Sequence, residues 1–134
     1  MHNIQSPSTD ANAVEREIQA KSLTAPRVTP VDLQANIKSV HYFTAAQGVN
    51  GAERAGDCDS LSEPVVGLGL LTFCVIELRN GFTVTGESAC ASPENFDADL
   101  GRRIARINAE QKIWSLMGYN LKERLHQDKA KAVK

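Results

Sequence analysis

Asn80-Gly81 divides two apolar, β-prone runs, residues 71–79 and 82–88. Asn-Gly favours the positive φ values of a two-residue type I′ turn, which predicts an antiparallel hairpin. A two-residue turn pairs Arg79 with Phe82, Glu77 with Val84 and Val75 with Gly86. One face then carries Phe73, Val75, Glu77, Arg79, Phe82 and Val84; the other carries Cys74, Ile76, Leu78, Thr83 and Thr85. Neither face is cleanly polar. The pattern therefore predicts cover on both, one face by a helix and the other by a second strand layer or another subunit.

The helix is announced by Ser92-Pro93, read as an N-cap with proline at the first helical position. It is predicted to run from Pro93 to about Met117, with Gly118 as a left-handed cap. Tyr119–Leu125 follows as a short further turn, and residues 129–134 as a frayed basic end. Phe96, Leu100, Ile104, Ile107 and Trp114 make the expected core stripe. Ala98, Ala105, Ala109 and Leu116, beside Gly101, form a second strip of small residues suited to a partner helix. Upstream, Thr29-Pro30-Val31-Asp32 signals a two-turn helix ending near Asn36, and Ile37–Thr44 reads as a first strand. Residues 45–64, with three glycines, four acids and a proline, read as a surface loop. Gly67 and Gly69 suggest a bulge or a close backbone approach.

The fold class expected is α+β: one domain with an antiparallel sheet, a central hairpin and one long C-terminal helix. The organisation expected is a flexible arm over 1–26, able to form a short helix at Ala13–Lys21, a ligand-binding and oligomerisation domain over 27–126, and a basic tail over 127–134. Fifteen basic against sixteen acidic residues, in a chain of 134, argue against a general affinity for DNA. Three cysteines without a C-x-x-C pair disfavour a disulfide framework and a zinc site, and suit a reducing compartment. The opening residues lack the basic and apolar regions of a secretory signal, and no apolar run is long enough for a membrane helix. The expectation is a soluble protein without cofactor, resident metal or membrane partner.

Asn95, Asp99, Arg102 and Arg106 recur at helical spacing, with Arg103 at the edge of that face and Lys112 on another side. Two readings stand. The face is solvated and laced by Asp99–Arg pairs worth a few tenths of a kcal/mol each, or its guanidinium groups grip phosphates. In the second, Asn95 reads a base or ribose and Phe82 stacks on a base; Phe82 serves equally as a hairpin core residue. Cys90 precedes a helix start that would favour a thiolate, but a buried inert thiol fits better. Asp57, Asp59 and Glu63 cluster without the spacing of a calcium or zinc motif. Gly67-Leu68-Gly69 lacks the rest of either nucleotide-binding glycine motif.

Residues 71–125 resemble a family of small bacteriophage proteins that includes the type 1 Thoeris anti-defence proteins. The words that carry the likeness are Asn80-Gly81-Phe82, Gly86-Glu87-Ser88-Ala89-Cys90, Ser92-Pro93-Glu94-Asn95-Phe96-Asp97, Gly101 with Ala105, Lys112-Ile113-Trp114 and Gly118-Tyr119-Asn120-Leu121. The resemblance implies a sponge: a protein in the host cytoplasm that binds a cyclic ADP-ribose-type or cyclic oligonucleotide immune signal and hides it uncleaved. It also implies a dimer-based homo-oligomer, up to a hexamer, with pockets lined by more than one chain. Phe82, Asn95, Phe96, Arg103, Arg106 and Lys112 are the ligand-binding residues expected, with no catalytic residue and no enzyme activity. Affinity near 1 nM needs about 12 kcal/mol, which several desolvated charge-assisted hydrogen bonds supply and exposed pairs do not. The alternatives are a phage protein that binds a host protein through the arm and the small-residue strip, and, further off, a nucleotide-processing enzyme using Cys90.

Overall fold

The computed structural model describes residues 7–23, 25–56 and 66–132. In chain order the elements are α1 (Pro7–Ala20), α2 (Pro30–Ala35), β1 (Ile37–Thr44), α3 (Ala45–Arg54), the single turn α4 (Val66–Gly69), β2 (Leu71–Leu78), β3 (Thr83–Ala89) and α5 (Ala98–Ala132). The strands form an antiparallel meander in the order β1-β2-β3. α5 lies across β2 and β3 on one face of it. This is the α+β arrangement expected, a three-stranded sheet under one long helix.

α2 starts as its residues dictate. The Thr29 hydroxyl accepts from the Asp32 N–H at 3.1 Å, and the Asp32 carboxylate accepts from the Thr29 N–H at 3.0 Å. This reciprocal capping box satisfies two donors that a helix start leaves free. Leu33, 1% exposed, is the side chain α2 drives into the core. β1 has the bounds its β-branched and aromatic residues predict.

The hairpin forms, but not in the expected register. Glu77 pairs with Thr83, Ile76 with Val84 and Val75 with Thr85. The loop has three residues: the Gly81 N–H donates to the Leu78 carbonyl at 2.9 Å, and the Leu78 N–H to the Phe82 carbonyl at 2.8 Å. Only Gly81 in this loop has positive φ, at 89°. That is the geometry of a turn closed by a glycine bulge, in place of type I′. The Asn80 carboxamide oxygen accepts from the Phe82 N–H at 2.9 Å and steadies it. One residue of slip exchanges the faces of β3. Phe82, Val84 and Gly86 therefore share the helix side with Cys74, Ile76 and Leu78, while Thr83 and Thr85 lie opposite.

Several other expectations are corrected. Residues 45–54 are helical, because Thr44 and Gln47 form a second capping box (Gln47 N–H to Thr44 hydroxyl, 3.2 Å; Thr44 N–H to Gln47 carboxamide, 2.9 Å). α3 packs toward the outer sheet face, where Gly48 lies beside Phe43, itself stacked on Phe73 at 5.7 Å. A helix thus covers part of the face for which a strand layer or a second subunit was expected. Residues 57–65, with the acidic cluster and Cys58, lie outside the described residues. Gly67 and Gly69 belong to the turn α4, with open space around both rather than a bulge or a close contact.

α5 begins later and ends later than its sequence suggested. Ser92 makes no backbone cap; its hydroxyl donates to Glu94 at 2.6 Å above a 3-10 turn at Pro93–Asn95. Asp97 is the residue that accepts the Leu100 N–H, at 3.1 Å. At the other end, the helix passes through Gly118, whose φ is not positive, takes in Tyr119–Leu125, and continues to Ala132 where a frayed end was expected. The middle of the strip assigned to a partner helix faces the core, while its ends, Ala98 and Leu116, are exposed. Ala105, Ala109 and Ile113 are fully buried, whereas Phe96, Leu100, Ile104, Ile107 and Trp114 are only half-buried. Their partner is strand β3: a Cβ placed on Gly86 would stand 2.1 Å from the Ala105 carbonyl oxygen and 2.3 Å from the Ala109 nitrogen. Gly101 continues the strip beside Thr72.

Gly86→Ala is expected to lower stability by about 3 kcal/mol or more, because backbone stands where the methyl group must go. Gly118→Ala is expected to raise it by about 1 kcal/mol, the helix-propensity difference. Urea unfolding checks both, and a loss of stability in the second would restore the left-handed cap. Acid sensitivity has a named source. Glu15, ahead of Arg27, takes two hydrogen bonds from that guanidinium, which hold its carboxyl below its ordinary range. Asp32 is lowered chiefly by the Thr29 N–H. A depressed carboxylate contributes fully above its unfolded pKa and loses that contribution as pH falls through the folded value. Stability should therefore drop below about pH 4, and Glu15→Gln should make the fall shallower in pH-dependent melts.

Candidate functional site

Extending α5 through Gly118 and turning Phe82 to the helix side have a joint effect. Lys112, Leu116 and Tyr119 follow one another at helical spacing on a single face of α5. That face runs beside β3, an edge strand of the sheet. One turn earlier, the Asn108 carboxamide donates to the Glu87 carbonyl at 2.8 Å and holds helix and edge together. Beyond that clamp the two diverge into a groove of about 540 Å³, with Phe82, Thr83 and Thr85 on the strand side and Lys112, Leu116 and Tyr119 on the helix side. Such a volume suits a small organic ligand.

The groove has an amphipathic lining. Phe82 is 53% exposed and Tyr119 73%, so two aromatic side chains of the same cleft are open to solvent. An exposed aromatic ring offers a stacking surface to a planar base. Lys112 is exposed and makes no ion pair among the described residues. An ammonium group there attracts an anion to the same cleft. Ser115 adds a hydroxyl group that donates or accepts, while Thr83 and Thr85 line the groove from the edge strand with their side chains on the opposite face of the sheet.

The fold thus brings together two of the six residues expected to bind ligand, Phe82 and Lys112, and sets the others elsewhere. Asn95 and Phe96 lie in and just after the 3-10 turn, before α5, so Asn95 does not share a helical face with Asp99 and the arginines. Arg103 pairs with Asp99 at 3.3 Å on the exposed surface. Nine residues, about 2.5 helical turns, place it on the side of α5 opposite Lys112. Arg106 turns inward: its Nε donates to Glu110 at 3.1 Å and its Nη2 to the Gln34 carboxamide at 3.1 Å. The Gln34 amide in turn donates to Glu110 at 2.9 Å. Burial works against the guanidinium charge, but Glu110 and the Tyr42 hydroxyl more than offset it and raise its pKa. This triangle ties α2 to α5.

Tyr119, Leu116 and the groove threonines were not among the residues expected to bind ligand. The signal available was the i, i+3, i+4, i+7 set Lys112, Ser115, Leu116 and Tyr119, legible only if the helix is carried past Gly118. Neither described cysteine adds chemistry to the groove. Cys74 is buried, and burial pushes its thiol up to about 11. The Cys90 thiol donates to the Ser92 carbonyl at 3.1 Å. Among the described residues, no three His, Cys, Asp or Glu side chains gather as a metal site, and no helix is long and apolar enough to cross a membrane.

Comparison with known proteins places this architecture. The model of the phage protein (N4 Gp49/phage Sf6 gene 66) family matches residues 28–125, from the approach to α2 well into the second half of α5. The chain belongs to that phage protein family. The matched stretch contains the capping box of α2, the whole sheet and every residue of the groove. No curated protein and no solved structure gives a significant match.

Glu110→Ala is expected to cost about 2 kcal/mol, since it leaves the half-buried Arg106 guanidinium without its carboxylate and Gln34 without their shared acceptor. Chemical denaturation measures it. An unchanged midpoint would show that the triangle does not hold α2 in place.

Proposed function

We propose that this phage protein is an anti-defence sponge, which binds a host immune signalling nucleotide and withholds it intact. The ligand class is a glycocyclic ADP-ribose, with cyclic oligonucleotides as further candidates, and the site of action is the host cytoplasm, against Thoeris or related nucleotide-signalling defences. The observation that carries the reading is the groove in which Phe82, Tyr119 and Lys112 meet. An adenine needs an aromatic platform, a phosphate needs a cation, and ribose hydroxyls need a partner such as Ser115. A protein that captures such a ligand needs no nucleophile, so the reading is of binding without catalysis.

An open groove on one chain leaves much of a nucleotide in water. Sequestration therefore calls for a homo-oligomer in which a second copy closes the cleft and desolvates the charged contacts, where they strengthen. Asn95, Phe96, Arg103 and Arg106, placed outside the groove of their own chain, remain candidates for completing a partner's site. Of these, Arg103 is the most available, because its exposed pair with Asp99 is weak.

The test is uptake of glycocyclic ADP-ribose followed by heat release and mass spectrometry. Wild-type protein should return the ligand unchanged. Phe82→Ala and Lys112→Glu should each lower uptake at least tenfold while leaving the melting temperature within a few degrees of wild type, both side chains being exposed. Wild-type uptake in both variants would sink the groove, an altered product would mean an enzyme, and no uptake at all would favour a protein that binds a host protein.

A further inference from the structure

On the other side of the hairpin turn lies a second cavity of about 420 Å³, between the end of α2, the β2–β3 loop and the C-terminal half of α5. Its polar wall holds three guanidinium groups, Arg27, Arg79 and Arg124, with the amides of Asn36 and Asn120 and the carboxylate of Asp32. Charges of one sign gathered around a cavity repel one another unless something between them compensates. Here the compensation within the chain is partial. Arg27 is matched by Glu15, which takes both of its hydrogen bonds. Arg79 spends only its Nε, on the Ala35 carbonyl at 3.0 Å, which leaves both terminal amino groups of its fork without a partner among the described residues. Arg124 makes no ion pair among the described residues.

We infer that this cavity is a second ligand site, one that takes a phosphate monoester of a hydroxylated small molecule such as a sugar phosphate. Arg79 and Arg124 present planar forks suited to paired hydrogen bonds with phosphate oxygens. Arg79 is anchored for this role, its backbone N–H donating to the Asn36 carbonyl at 2.9 Å and its Nε fixed on Ala35. The remaining wall selects against a bare polyanion. Asp32 has one carboxylate oxygen committed to the Thr29 N–H, and its negative charge favours a ligand hydroxyl on that side over a second phosphate. Asn36 and Asn120 supply further donors and acceptors for a polyol. The site stands on residues separate from Phe82, Lys112 and Tyr119, so it holds whether or not the groove binds a nucleotide.

Ribose 5-phosphate, ribose and inorganic phosphate, each titrated calorimetrically into the full-length protein, test the assignment. Ribose 5-phosphate should bind and ribose should not. Arg124→Ala, on an exposed helical face, and Arg79→Ala should each weaken ribose 5-phosphate at least tenfold. Arg102→Ala, an exposed arginine outside the cavity, should leave it unchanged. Asp32→Asn should weaken ribose 5-phosphate but not inorganic phosphate. Phe82→Ala should have no effect, which separates this site from the groove. Wild-type affinity in both arginine variants, loss of binding with Phe82→Ala alone, or no binding at millimolar concentration overturns the inference.

Discussion

The contact of Gly86 with Ala105 and Ala109 governs the rest of the molecule. A helix can sink onto a sheet only as far as the largest side chain between them allows. Here the strand offers no side chain and the helix offers two methyl groups, so backbone meets backbone. That closeness fixes the height of α5 over β3 and buries Cys74, Ile76, Val84 and Ile113 in one layer. It also demands that Gly86 face the helix, which a two-residue turn at Asn80-Gly81 would forbid. The glycine bulge at Gly81 supplies the extra loop residue that sets the face. A turn and a packing contact five residues apart therefore specify each other.

The site inherits this register. Had Phe82 paired as the shortest turn prescribes, its ring would lie on the opposite face of the sheet, away from α5. With the longer loop it shares the helix side with Val84 but sits beyond the clamp at Asn108, where the helix no longer covers it. The open groove follows from where the close contact ends. The inward Arg106–Glu110–Gln34 triangle performs the equivalent task on the α2 side, replacing apolar packing with a satisfied polar junction.

Much of this was legible in the chain. Local chemistry marked α2 through Thr29 and Asp32, marked β1 by its β-branched and aromatic run, and placed the reversal at Asn80-Gly81. What local chemistry could not supply was loop length, since the same dipeptide serves a two-residue turn and a three-residue loop in which only the glycine takes positive φ. α3 was hidden by Gly48 and Gly51, although the Thr44-x-x-Gln47 capping box was in view. The small-residue strip was recognised as a close-contact surface but given the wrong partner, because nothing in α5 alone distinguishes a helix from a glycine-bearing strand. Among the candidate ligand residues, Phe82 and Lys112 were brought together by tertiary packing, while Tyr119 was lost to an early stop at Gly118. Family membership over residues 28–125 shows that the likeness reaches back through β1 and α2, beyond the hairpin and helix in which its motifs were read.

α5 spans 35 residues, about 52 Å, against strands of seven or eight residues, about 25 Å. The surplus makes it a party wall. Tyr119 opens to one side and Asn120 and Arg124 to the other, while the loop at its flank sends Phe82 one way and Arg79 the other. Two neighbouring rooms thus share both a beam and a doorpost. Any tilt of that beam or shift of that post must reshape them together.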